Sequence, residues 1–234
     1  VADDIFGLRD DHWRSDELRA SSLVTIAAKL GNSKAGHIVD YWKSLNTNLD
    51  NDDRFIPYQY QAYRALSALE DDDKLKTRAE KEIRRYDLGI QSFGKHGTIL
   101  HRYGDSTFEL EIDDESSGTQ QLLALKEKID AVLDKGGVAV IDELDAYLHP
   151  RMVEELIMKF TSPTSNKGRG QLLFSTHDLR VFKLLDPYQI SLAEKDGMGI
   201  TSLKRLDSQP RPRSADSYVK HYMRGYFGGI NNIE

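Results

Sequence analysis

Apolar positions along the chain keep one rhythm up to about residue 86 and another beyond it. In the first part they fall three or four residues apart, the spacing of a single buried helical face. Ile5 and Leu8 with Trp13 predict a short first helix. Leu23, Ile26, Ala27 and Leu30 predict a second, stopped at Gly31, a common residue after a helix end. Ile38, Val39, Trp42 and Leu45 predict a third, and Tyr60, Tyr63, Leu66 and Leu69 a fourth. Between the last two, residues 46–54 (NTNLDNDDR) read as a polar loop. The acidic run at residues 70–73 reads as a solvated loop that caps a further helix reaching Arg85. Trp13, Trp42 and the tyrosines are expected in the core rather than on a base-stacking surface.

Beyond residue 86 the pattern alternates. Residues 98–103 and 107–112 read as two strands across a turn at Gly104-Asp105. The string ESSGTQQ at residues 115–121 is followed by Leu122, Leu125, Ile129, Val132 and Leu133 at helical spacing, and Gly136-Gly137 ends that helix. Ser117 and Gln120 have the spacing of a capping box. A helix start of this kind is an anion site as well as an ordinary cap. The apolar run at 138–141, bounded by glycines, reads as a fully buried strand of a parallel sheet. Pro150 opens a helix with Val153, Leu156, Ile157 and Phe160 on its buried face. After a surface loop at 161–170, residues 172–174 read as another buried strand. Asp178 caps a short helix over 179–185. A hairpin over 188–194 and 200–206 turns about Asp196-Gly197, and a last helix covers 214–226. The arginines of SQPRPR at 208–213 read as a solvated linker, with phosphate or nucleic-acid contact as the other option.

This pattern puts candidate chemistry at one end of a sheet. Ligands of parallel sheets bind beyond the carboxyl ends of the strands, and Asp142, Glu143 and His177 all follow predicted strands. One carboxylate can hold Mg²⁺, directly or through water. The next can orient a water towards a γ-phosphate, and the histidine can sense that phosphate. The plainer alternative is a strand ending in a solvated acidic turn beside a structural histidine. Residues 89–96 (GIQSFGKH) match GxxxxGK, but His96 stands where a P-loop needs Ser or Thr. A charged helix precedes the string and a strand follows it, the reverse of what a P-loop requires, so it reads as a decoy. Glu111, Asp113, Asp114 and Glu115 read as a solvated edge rather than a metal cluster.

The 234 residues suffice for one large domain, or one domain with a helical insertion. There is no cysteine, so thiolate zinc sites and disulfides are excluded, which fits a cytoplasmic protein. No apolar stretch approaches the roughly 18–20 residues of a membrane span, and the first residues, Val-Ala-Asp-Asp, carry no leader pattern. A net charge of −6 disfavours a chain-wide nucleic-acid surface and leaves room for a local basic patch.

Taken in order, these strings resemble the second half of an ABC-type ATPase head. Ser117, Gly118, Thr119 and Gln120 resemble the signature loop, residues 138–143 Walker B with its glutamate, residues 145–149 the D-loop, and His177 the switch histidine. Thr119 replaces the second signature glycine and His149 the usual D-loop aspartate, which points away from transporters and towards the RecF, SMC and overcoming-lysogenisation-defect (OLD) heads. The resemblance is closest to the ABC-like AAA ATPases of phage abortive-infection and RloA-like operons. There, strings like ESxGTQ, IDExDxxLHP and TTHD occur together with a Gly-Tyr/Phe-Gly ending, here at 224–230.

The resemblance implies an α/β fold: an ABC-type head with a partial parallel-sheet core. It implies a helical insertion over residues 1–86 and the C-terminal part of the head over 87–234, ending in a β-hairpin and a helix. It implies ATP and Mg²⁺ as cofactors, Asp142 as metal ligand, Glu143 and His177 as catalytic residues, and Ser117, Gly118, Thr119, Gln120 and Asp145 as nucleotide contacts. Implied partners are a second head across sandwiched ATP, in a homodimer or higher assembly, and an effector nuclease of Toprim-like or RloB-like type, with DNA a further option and no membrane. The string lacks a true P-loop, so it resembles the C-terminal part of a longer ATPase and is expected not to turn over ATP by itself. The alternatives are a RecF/SMC-like DNA-repair ATPase and a non-catalytic binding module.

Overall fold

The computed structural model describes residues 22–48, 58–86, 89–210 and 215–228. The first expected helix, over residues 5–13 with Trp13, and the arginines at 211 and 213 lie outside them. Helix α1 (Leu23–Lys29) begins at Ser22, whose hydroxyl accepts the Thr25 N–H, and α2 (Ser33–Lys43) begins at Asn32, whose side chain accepts the Ala35 N–H. The two helices share a small cluster of Ile26, Ala27 and Ala35. The core expected under Trp42 is not there: α2 buries Ala35, while Trp42 is 67% exposed and Ile38 and Tyr41 are exposed as well. No described element covers that face.

The stretch read as a polar loop opens with a strand. β1 (Asn46–Thr47) pairs parallel with β5 (Val138–Ile141), which pairs parallel with β6 (Gln171–Phe174), giving the order β1-β5-β6. Register places Ala139 opposite Leu172 and Ile141 opposite Phe174. That face is the inner one, with Ala139 and Ile141 fully buried. Val138, Val140 and Leu173 lie on the other face, where Leu173 is 63% exposed. The strands expected to be fully buried are therefore covered on one face only by described residues.

Two long helices pack together over the core. α3 (Tyr58–Glu70) lies along α5 (Ser117–Lys135), and Leu66, Leu122, Leu125, Ile129 and Leu133 join Ile141 and Leu156 in one cluster. Leu156 belongs to α6 (Pro150–Thr161). α4 (Asp73–Ile83) starts at Asp72, whose carboxylate accepts the Lys74 and Leu75 N–H groups at 3.0 Å each, as the acidic run suggests. Charge ties the three helices: Glu82 of α4 bonds Lys126 of α5 at 2.8 Å and Lys159 of α6 at 2.5 Å.

A second sheet is antiparallel, β2 (Ile90–Phe93), β3 (Thr98–Tyr103) and β4 (Ser106–Glu111), in that order. The GxxxxGK string falls in its first hairpin. Gly94 N–H donates to the Thr98 carbonyl at 2.8 Å, and His96 and Gly97 turn with positive φ. Strand follows strand there, and no helix starts after the lysine, so no phosphate cradle forms. After α6 and β6 come the short α7 (Val181–Leu184), the hairpin β7 (Ser191–Lys195) and β8 (Thr201–Arg205), and α8 (Ala215–Met223). The fold is mixed α/β with a parallel sheet. Among the described residues no helix is long and apolar enough to cross a membrane.

Candidate functional site

The β5–β6 ladder stops at Ile141 and Phe174. Beyond it Ser175 takes over as the staple. Its N–H donates to the Ile141 carbonyl at 3.1 Å, and its own carbonyl accepts the Leu144 N–H at 3.0 Å. Its hydroxyl accepts the Glu143 N–H at 2.8 Å and donates to Asp142 Oδ1. On the other side of β5, the Asn48 carboxamide grips the peptide of Asp142. Asn48 Nδ2 donates to the Asp142 carbonyl and Asn48 Oδ1 accepts the Asp142 N–H, both at 2.8 Å. A carboxamide has the donor and acceptor of a peptide group, so Asn48 continues the parallel ladder past the two residues of β1.

Held in this way, the acidic turn adopts an unusual backbone. Glu143 has φ +50° and Tyr147 φ +59°, the left-handed region that costs non-glycine residues roughly 1–2 kcal/mol each. Such conformations persist where surrounding bonds over-determine them, commonly at functional sites. Leu144, fully buried, anchors the turn while Asp142 and Glu143 stay exposed. His177 follows two residues after Ser175, exposed, and its N–H donates to Asp145 Oδ1 at 3.3 Å. Asp142, Glu143, Asp145 and His177 thus share the carboxyl end of the parallel sheet. His149 acts locally, as the N-cap of α6, its Nδ1 accepting the Arg151 N–H at 3.2 Å.

The start of α5 lies against this turn. Its N-cap is Ser116 rather than Ser117: the Ser116 hydroxyl accepts the Thr119 N–H at 3.1 Å. The expected Ser117–Gln120 capping box does not form, because Gln120 Nε2 turns back to the carbonyls of Ile112 at 2.8 Å and Glu115 at 3.1 Å. Thr119 and Gln120 are buried and hold the turn together, while Ser117 is exposed and Gly118 half-buried. A Cβ on Gly118 would stand 2.8 Å from the Tyr147 carbonyl oxygen. Glycine is what lets the two turns touch within one chain.

Three residues of this site have no role that the sequence alone suggests. Ser175 gives a faint signal, a polar residue between an apolar strand and a histidine. Asn48 gives none, since its partner lies 94 residues away. Tyr58 meets Tyr147 edge-on, with ring centroids 5.9 Å apart. Burial, then the nearby Glu143, Tyr147 and Asp142, push the Tyr58 hydroxyl above its ordinary pKa, and its hydroxyl neighbours the buried Gln121.

The donor set can be tested against the cofactors the resemblance implies. Asp142 and the Ser175 hydroxyl offer oxygen only. That suits Mg²⁺, which keeps several waters and shares phosphate oxygens instead of sitting in an all-protein cage. It does not suit zinc. The N-terminal end of α5, with Ser117 exposed and Gly118 half-buried, suits a phosphate. No curated protein matches the chain. Residues 2–182 match the family described as "AAA domain, putative AbiEii toxin, Type IV TA system". The matched span covers more than half of the chain and contains the α5 turn, the acidic pair and His177, and the protein accordingly belongs to this AAA-domain family of ATPase-like, nucleotide-binding proteins.

Proposed function

We propose that the protein is an ATPase whose heads associate across bound ATP, and that Asp142, Glu143 and His177 carry its hydrolytic chemistry. The observation that carries this reading is the wiring of the acidic pair. One residue, Ser175, bonds both Asp142 and Glu143 and leads directly into the turn bearing His177. Bound Mg²⁺ would neutralise charge on the phosphates and orient them. Asp142 is the residue that would hold it. Glu143 orients and polarises the attacking water, and His177 contacts the γ-phosphate where charge develops. Ser117 and Gly118, the reachable part of the α5 turn, face nucleotide held by a second head. Thr119 and Gln120 shape that turn, and Asp145, whose carboxylate accepts the His177 N–H, ties the acidic turn to the His177 loop.

We place the protein with the RloA-like and abortive-infection ATPases related to RecF, SMC and OLD heads. On this reading it acts in anti-phage defence in the cytoplasm, controls an effector nuclease of Toprim-like or RloB-like type, and comprises head residues over 87–234 and a part over 1–86 that is not a separate insertion throughout, since it lends β1 and Asn48 to the head's parallel sheet. The family's description, which names a toxin of a type IV system, supports the defence role. The test is Glu143→Gln in the full-length protein. ATP binding should persist while hydrolysis falls by about 10²-fold, the usual scale of a general base. Hydrolysis at the wild-type rate would remove Glu143 from the chemistry.

A further inference from the structure

An acidic pair of this kind can act as two independent carboxylates, one for the cation and one for water. Here the two are joined. We propose that Ser175 is a positioning residue that couples them, so that the set of Glu143 follows the state of Asp142. The inference rests on the ATPase reading of that pair.

One oxygen makes both contacts. Ser175 Oγ donates its proton to Asp142 Oδ1 and accepts the Glu143 N–H at 2.8 Å. A hydroxyl is the smallest side-chain group that can do both. The Ser175 backbone cannot follow a change at Asp142, since it is stapled at both sides, to Ile141 at 3.1 Å and to Leu144 at 3.0 Å. Only its side chain is left to respond. The Glu143 N–H is the bond most sensitive to that response, because it lies past the end of the ladder and its residue sits at φ +50°.

Hydrogen bonds in a chain polarise one another. A charged Asp142 draws on the Ser175 proton and makes Oγ a better acceptor for the Glu143 N–H. When a cation takes up part of the charge of Asp142, the strength of that support changes, and the set of the Glu143 carboxylate, which Ser175 holds in the working range, changes with it. Cation engagement at one carboxylate thereby reaches the other through a single side chain. Asn48, which bonds the Asp142 backbone and not its carboxylate, cannot transmit this.

The test compares Ser175→Ala and Ser175→Thr with wild type in the full-length protein, by two readouts. The first is amide hydrogen exchange of the peptide containing Glu143 without nucleotide, which reads the bond independently of activity. The second is ATP turnover against Mg²⁺ concentration. Ser175→Ala should exchange about tenfold faster at Glu143, lower kcat by about tenfold or more with KM for ATP little changed, and shift the Mg²⁺ concentration for half-maximal rate. Ser175→Thr, which keeps the hydroxyl, should restore all three. Faster exchange with unaltered kcat and Mg²⁺ dependence would mean a merely structural bond and would overturn the proposal, as would a threonine variant that behaves like alanine. If Ser175→Ala does not fold, Asp142→Asn tests the link from the other end. A neutral acceptor there should speed Glu143 exchange, and unchanged exchange would overturn the coupling. Failure of the ATPase reading is distinguishable, because wild-type protein would then not hydrolyse ATP, whatever the exchange result.

Discussion

Gly118 and His177 are the residues at which single atoms are most exposed to test. At Gly118 the added methyl of alanine would meet a backbone carbonyl, that of Tyr147, at 2.8 Å, where no flexible side chain can give way. Gly118→Ala should therefore push the α5 turn and the 145–148 loop apart. The expected cost is about 1–3 kcal/mol, the range for overpacking, read as a Tm lowered by several degrees, with slower hydrolysis. An unchanged Tm and rate would contradict the close approach. His177→Ala should slow hydrolysis more than it weakens ATP binding, because a group facing the γ-phosphate acts on charge that develops in the transition state. A loss confined to nucleotide affinity, with kcat intact, would count against that role. The placement of Asp142, Glu143 and His177 beyond the strand ends is legible in the sequence, since each follows an apolar run whose length and borders are local. Ser175 and Asn48 are hidden, because what matters about them is which distant peptide they bond. The N-cap of α5 differs from expectation by one residue, Ser116 for Ser117, since two adjacent serines offer equal caps and Gln120 decides between them by reaching back to Ile112 and Glu115.

At the scale of elements, short strand β1 is joined to β5 by its ladder and by the Asn48 carboxamide. Asn48→Ala removes two bonds to the Asp142 peptide, and should destabilise by about 1–3 kcal/mol and loosen the acidic turn. Denaturant unfolding measures the first effect and ATP turnover the second; wild-type values for both would show that β1 holds the turn without its asparagine. Helices α4, α5 and α6 meet at Glu82. Burial raises the carboxyl pKa of Glu82, but the ammonium groups of Lys126 and Lys159 outweigh it and bring the pKa down to about 2, from an ordinary value of 4.5. A depressed carboxylate pKa adds stability above the unfolded value, and that stability is lost as pH falls towards the folded one. Wild type should thus be more stable than Glu82→Gln at pH 7, and the gap in Tm should narrow as pH falls from about 4.5 towards about 2. A gap constant across that window would show that the charge of Glu82 contributes nothing. The hairpins and most helices are legible from spacing and turn residues. The one-sided burial of β5 and β6 is not, because an apolar run records what each residue tolerates and not which face a helix covers. Trp42 departs from expectation for the same reason: α2 has a helical stripe, but its described neighbours meet it at Ala35.

At the scale of the whole molecule, the acidic pair and the α5 turn stand side by side, joined where Gly118 meets Tyr147. In the proposed assembly the α5 turn of one head closes on nucleotide beside the acidic pair of the other, so each closed site needs two copies. Blocking hydrolysis without losing ATP should then trap the closed form. The direct measurement is size-exclusion chromatography with light scattering on full-length Glu143→Gln, with and without ATP and Mg²⁺. An ATP-dependent dimer, or a higher assembly built on it, that outlasts the wild-type one is the expected result. A variant that binds ATP, no longer hydrolyses it and yet stays at the nucleotide-free mass would contradict head association across ATP.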